Sequence, residues 1–162
     1  SGFHRKIGIP FALSQTLGRS CRPLAGKRTM TMQDDTLQPR GAMTIRTMPM
    51  PADTNAAGDI FGGWVMSQMD IAGAICAVEN VGGRVATVAV EAMSFIAPVK
   101  VGDVFCVYTW IDRIGNTSIK VGMEAWTKSR DLPLRTKVTE GHFIYVALTD
   151  DGKKRLVGET RS

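Results

Sequence analysis

A single carboxylate, Asp59, stands just before Ile60-Phe61 and the glycine pair Gly62-Gly63, in a polar run that leads into a long apolar segment. Glycines at a helix start let a ligand approach amide N–H groups that have no partner inside the helix. They lie at the positive end of its dipole, where an oxyanion is stabilised. A carboxylate beside such a place can work as general base or as nucleophile. The plainer reading is an N-cap, with the Asp59 carboxylate accepting N–H bonds from the first turn. Other chemistries have little to draw on. Histidine occurs only at His4 and His142, and no GxSxG is present, so neither a His-based zinc site nor a Ser-His-Asp triad has its parts. The three cysteines, Cys21, Cys76 and Cys106, form no CxxC pair, which reads as a reducing compartment with Cys76 and Cys106 as small buried hydrophobes.

The elements that must position Asp59 follow from the pattern of apolar residues. Residues 64–81 are apolar on nearly every face of a helix wheel and are closed by Gly82-Gly83, so the spacing predicts a helix enclosed almost all round. Ala72, Gly73, Ala74 and Ala77 leave room for close backbone approach. Ser67, Gln68, Asp70 and Glu79 interrupt the segment, and it is too short for a membrane span of about 20 mostly apolar residues. Strands are expected at 42–48, 84–96, 104–114, 118–127 and 135–148. Gly115-Asn116 gives a two-residue hairpin signal, and residues 128–133 read as a polar loop. Hairpin-linked strands make an antiparallel sheet whose twist lets one face curl around an apolar helix, an α+β arrangement. Such a sheet leaves edge strands exposed and parts of the helix open, which points to self-association.

With 162 residues and 44% hydrophobic content, one domain is expected, at 41–152. The net charge of +5 is uneven: residues 1–40 hold seven Lys or Arg against Asp34 and Asp35, and the other 13 basic and 13 acidic residues cancel. No basic face for nucleic acid is therefore indicated. The 1–40 tail reads as mobile, and as a tag remnant, an extended start or an organellar leader. A cytoplasmic place is expected, or an organellar matrix if the tail is a leader. Lys153, Lys154 and Arg155, within a basic end at 153–162, read as a solvated charge run or as contacts for phosphate.

The run from Pro51 to Asp70, which contains GDIFGGWVMSQMD, resembles the YciA-type acyl-CoA thioesterases of the hotdog fold. So do Gly83 to Phe95 and Val101-Gly-Asp-Val. The likeness covers residues 43–150 and omits the tail. It implies a hotdog fold, with a long central helix wrapped by a curled antiparallel sheet of five or six strands. It also implies hydrolysis of acyl-CoA to free acid and CoA, at sites between the subunits of a double-hotdog dimer, with a trimer of dimers or a tetramer as the larger assembly. On this resemblance Asp59 is the catalytic acid, and the Gly63 amide polarises the thioester carbonyl while Gly62 makes room. Asn55 orients water or substrate, or forms a turn. Candidate substrate-binding positions are Phe61, Gly62, Gln68, Glu91, Ser94, Asn116, Thr117 and Ser118. Glu91 and Ser94 are expected on the strand beside the helix, and Asn116 to Ser118 near the partner subunit's CoA. Relatives often carry a basic residue where this chain has Asn116, so no phosphate contact is carried over there. Gln68 and Asp70 also fit structural or dimer-interface roles, and His142 a packed strand position. Met50, Met66, Met69 and Met93 read as adaptable apolar lining. Neither a metal nor a cofactor beyond the CoA of the substrate is implied.

Two other activities share these features. A hotdog hydratase or dehydratase would need a histidine and an acid together at the helix start. A non-catalytic module would bind acyl-CoA without cleaving it.

Overall fold

The computed structural model describes residues 38–129 and 134–158. The expectations for residues 1–37, 130–133 and 159–162, including Cys21 and most of the basic tail, fall outside these. The chain runs β1 (Ala42–Thr47), a short 3-10 turn (Pro51–Asp53), α1 (Gly62–Val81), β2 (Arg84–Phe95), β3 (Val104–Ile114), β4 (Ser118–Lys128) and β5 (Arg135–Leu148). The helix begins two residues before the apolar pattern does. Glycine is a poor helix former, but Gly62 and Gly63 fill the first turn, where an amide has no intrahelical partner to lose. Three residues, one more than the Gly115-Asn116 signal suggests, separate β3 from β4, and the Gly115 N–H donates to the Ser118 carbonyl at 2.7 Å. A two-residue type I′ turn needs positive φ at both central residues, which neither Gly115 nor Asn116 has.

All strands pair antiparallel in one sheet of order β1-β3-β4-β5-β2. Val121, Phe143 and Val90 lie in register across β4, β5 and β2 and face the helix. Against that face α1 buries Val65, Met69, Ala72, Gly73, Cys76 and Ala77. Gly73 is required by this contact, because a Cβ there would stand 2.2 Å from the Tyr145 hydroxyl and 2.6 Å from Met123 Cε. That hydroxyl donates to the Asp70 carbonyl at 3.0 Å and its carboxylate at 3.2 Å, and Thr87 Oγ1 donates to the same carboxylate at 2.6 Å. Burial, then the Asp70 charge, pushes the Tyr145 hydroxyl well above its ordinary pKa, so it stays a donor. Asp70 is thus a structural group joining helix to sheet.

Within one chain the helix is enclosed only in part, as expected of a lone sheet. Met66, Ile71, Ile75 and Val78 are exposed, because one five-stranded sheet covers only one side of a helix, whereas the apolar pattern spans the others too. Val88 and Val90 on the edge strand β2 are also exposed. Of the basic run Lys153, Lys154 and Arg155, the two lysines are exposed, as a solvated run would be, whereas Arg155 and Val157 are docked. The Arg155 N–H donates to the Ala147 carbonyl at 3.0 Å and the Val157 N–H to the Asn116 carbonyl at 2.8 Å. The Arg155 guanidinium donates to the carbonyls of Val81 and Gly82, which end α1. Charge alone suggested solvation; the unpaired carbonyls of the helix end supply the competing partner. Cys76 and Cys106 are buried free thiols, as expected.

Candidate active site

Residues 50–61 form a short pedestal in front of α1. The Met50 N–H donates to the Asp53 carboxylate at 2.8 Å, the Phe61 N–H to the Asp53 carbonyl at 3.0 Å, and Thr54 bridges to Ile60. Asn55 closes the loop between them. Its side-chain oxygen accepts the N–H groups of Ala57 at 2.9 Å and Asp59 at 3.2 Å, and its own N–H donates to the Asp59 carbonyl at 2.7 Å. Asn55 therefore acts here as a turn former that fixes the backbone of Asp59. The buried Ile60 donates its N–H to the Val99 carbonyl at 3.0 Å, tying the pedestal to the segment after β2.

The N-cap reading of Asp59 is overturned. Phe61 occupies the cap position and makes no side-chain cap bond, while the Asp59 carboxylate takes a hydrogen-bonded ion pair from Lys100 Nζ. Two residues of chain separate Asp59 from the helix, so its side chain is not committed to capping it. Trp64 and Val65 donate to the Phe61 carbonyl at 3.0 and 3.3 Å. The amides of Gly62 and Gly63 find no partner among the described hydrogen bonds. A Cβ on Gly63 would meet nothing within 4 Å, so the space beside it is open; a Cβ on Gly62 would lie 3.3 Å from the Phe95 ring.

Beside this helix start lies an open cleft of about 410 Å³, walled by Asp59, Gly62, Val65, residues 95–99 and Thr139. Its wall is largely apolar, with the Asp59 carboxylate at one side. Such a place suits a substrate whose reacting carbonyl meets the amides while an apolar chain lies along Val65 and Val99. Phe61, more than half exposed, stands at the rim.

The other predicted positions are not brought to this cleft by one chain. Glu91 and Ser94 lie opposite His142 and Glu140, on the sheet face turned away from the helix, and Glu91 pairs there with Lys120 at 3.1 Å. The cause is a bulge between them: the register shifts and Ala92 takes φ 49°, a conformation rare outside glycine. Gln68 is half-buried on α1 and takes no part in the cleft wall. Asn116, Thr117 and Ser118 sit beside the C-terminal end of α1, a helix of 20 residues and so about 30 Å long. His142 packs edge-on to Trp110, with Asp112 4.0 Å away, on the outer face. Of the four methionines, Met69 is buried and Met93 packs on the core, whereas Met50 and Met66 are exposed. Among the described residues no three His, Cys, Asp or Glu side chains cluster as metal ligands would, and no helix is long and apolar enough to cross a membrane.

Sequence reasoning missed two residues. Lys100 gave no signal beyond its charge. Thr139 did carry one, since it shares its alternation with the inward-facing Gly141, Phe143 and Tyr145 and is a small polar residue in that set.

Residues 57–134 match the family model of the thioesterase superfamily. The acyl-CoA thioester hydrolase YciA of Salmonella typhimurium (strain LT2) is 55% identical over 129 residues, 78% of this chain and 96% of that protein. The chain belongs to this family of acyl-CoA thioester hydrolases. Its hotdog fold agrees with a hexameric thioesterase from Yersinia pestis, at 50% identity and a TM-score of 0.72, covering 76% of this chain and 100% of that one. A hexameric broad specificity acyl-coenzyme A thioesterase is similar at 48% identity and a TM-score of 0.71, covering 76% of this chain and 85% of the other. The family resemblance read from GDIFGGWVMSQMD is thereby borne out, together with the helix in a curled five-stranded sheet.

Proposed function

We propose that this protein hydrolyses acyl-CoA thioesters to free carboxylic acid and CoA, with Asp59 as the acting carboxylate and the Gly62-Gly63 helix start as the oxyanion site. The observation that carries the reading is a carboxylate that does not cap the helix, beside an apolar cleft that Gly62 of the open Gly62-Gly63 helix start also lines, in a chain 55% identical to an acyl-CoA thioester hydrolase. The thioester oxygen lies toward the Gly63 amide, and the acyl chain along the apolar wall. Asp59 takes a proton from water as the oxygen bonds to the carbonyl carbon, and the carbonyl electron pair moves onto the oxygen facing the amides. When that pair returns, the C–S bond breaks and the sulfur leaves with the proton from Asp59. Direct attack by Asp59 would give an anhydride that water then opens, and uses the same amides. Apart from the water consumed, every group in either route belongs to the chain or the substrate.

The working unit in this reading is an oligomer of paired subunits. Support comes from the uncovered stripe Met66, Ile71, Ile75 and Val78 beside the open edge β2, a combination that burial against a second copy would resolve. The distance of Asn116 to Ser118 from Asp59 along α1 agrees with a site these residues reach only from a partner. Two of the similar solved proteins are hexameric, and light scattering would give the mass.

A hydratase needs a histidine at the cleft, and His142 lies on the opposite sheet face. The test is CoA thiol release from a panel of acyl-CoAs by wild type and Asp59→Asn. Release by wild type with collapse in the variant is expected. Tight acyl-CoA binding by wild type without release would instead leave a binding module.

A further inference from the structure

Thr139 is 1% exposed, on β5, and its hydroxyl is one of two buried side-chain polar atoms among the described residues with no hydrogen-bond partner. The other, Trp110 Nε1, lies on the outer face of the sheet, away from the cleft. Thr139 lines the Asp59 cleft. It pairs across the sheet with Phe95, whose ring packs against Gly62. A buried hydroxyl without a partner lowers stability, and valine would fill the same volume without that cost. Around it the wall is made of Val65, Ile96, Val99 and similar groups, so Asp59 and Thr139 are its only polar side chains.

We propose that Thr139 is a positioning residue for hydrolysis, whose hydroxyl is the second protein partner of the water that Asp59 deprotonates. The inference rests on the hydrolytic reading above. A water held in an apolar cleft needs at least two polar partners, and with Asp59 alone it can swing about one bond. In the resting chain the oxygen is covered while the residue itself borders the cleft. Rotation about Cα–Cβ to another staggered position moves the hydroxyl into the place of the methyl or of the hydrogen, and in this proposal it is such a turn that presents the oxygen to the cleft. There it accepts the water's second hydrogen, leaving an oxygen lone pair for the carbonyl carbon. Asp59 receives the other proton and later returns it to the departing sulfur; Thr139 keeps its own proton throughout.

The experiment compares Thr139→Val, Thr139→Ser and Asp59→Asn with wild type in acyl-CoA turnover and thermal melting. Thr139→Val should melt at or above the wild-type temperature, yet lose about tenfold or more in kcat with KM within about twofold. Thr139→Ser should regain most of the kcat. Wild-type kcat in Thr139→Val would overturn the proposal, and so would a parallel fall in kcat and melting temperature, which marks a packing role. If Asp59→Asn is inactive while Thr139→Val is fully active, only the role of Thr139 falls. If Asp59→Asn is fully active, the role of Asp59 falls and the Thr139 proposal with it; only absence of thiol release by wild type removes the hydrolytic reading.

Discussion

The two ends of α1 face the same problem and meet it differently. Each end of a helix leaves backbone groups without intrahelical partners. At the C-terminal end the chain supplies the partners itself: Asn80 Nδ2 donates to the Cys76 carbonyl at 2.8 Å, Gly82 at φ 65° donates to Val78 at 2.8 Å, and Arg155 covers Val81 and Gly82. Its cation also stands at the negative end of the dipole. At the N-terminal end Phe61 offers no side-chain bond, Gly62 and Gly63 keep their amides free, and Asp59 is turned aside toward Lys100. A helix end that the protein satisfies internally is architecture. One left open beside a carboxylate and an apolar cleft is, in the proposed reading, a place for a ligand.

Substitutions can break that contrast. The largest effect is expected for Asp59→Ala, which should lower kcat/KM by about 10²–10⁴-fold in thiol-release assays, the usual range for a lost general base. Because Asp59 does not cap α1, its melting temperature should stay at the wild-type value; a clear fall would return Asp59 to architecture. Gly63→Ala comes next. A methyl there meets nothing in the chain, so melting should hold or rise with the better helix former. Activity should still drop about tenfold, as the methyl crowds the approach to the amide; full activity would show that substrate does not come this way.

Arg155→Gln tests the other end. Removing its bonds to the terminal carbonyls should cost about 1–2 kcal/mol, seen as a fall of roughly 3–6 °C in melting temperature. Turnover below the transition should be unchanged, and a selective loss of kcat would mean that both ends serve the chemistry. The smallest effect is expected for Lys100→Ala. The Lys100 side chain is 58% exposed, and surface pairs of this kind contribute little. Melting should not move and kcat/KM should change by about threefold or less; a larger change would bring Lys100 into the machinery.

Much of the fold was legible because its signals are local. β-branched and aromatic runs, Pro98 and the glycine turns marked strands that the structure reproduces to within one or two residues, and the same holds for the body of α1. Asp59 was legible as a candidate because its type, its place before two glycines and its family motif coincide on one short run. That one sheet leaves part of α1 open was legible from the number of strands; which residues stay uncovered was not, since an apolar pattern does not say whether one chain or several provide the cover.

By itself the sequence determined a long apolar helix, five hairpin-linked strands, a carboxylate before a glycine-rich helix start and membership of a hotdog thioesterase family. Each of these depends on neighbours a few residues apart or on a contiguous motif. Tertiary structure alone decided that Phe61 rather than Asp59 caps the helix, that the Ala92 bulge leaves Glu91 and Ser94 on the outer face, and that Tyr145 forbids a side chain at Gly73. It also decided that Thr139 shares a wall with Asp59, and that Arg155 folds back to the far helix end. These facts join residues tens of positions apart, and their geometry exists only once the sheet has curled and brought distant strands against the helix.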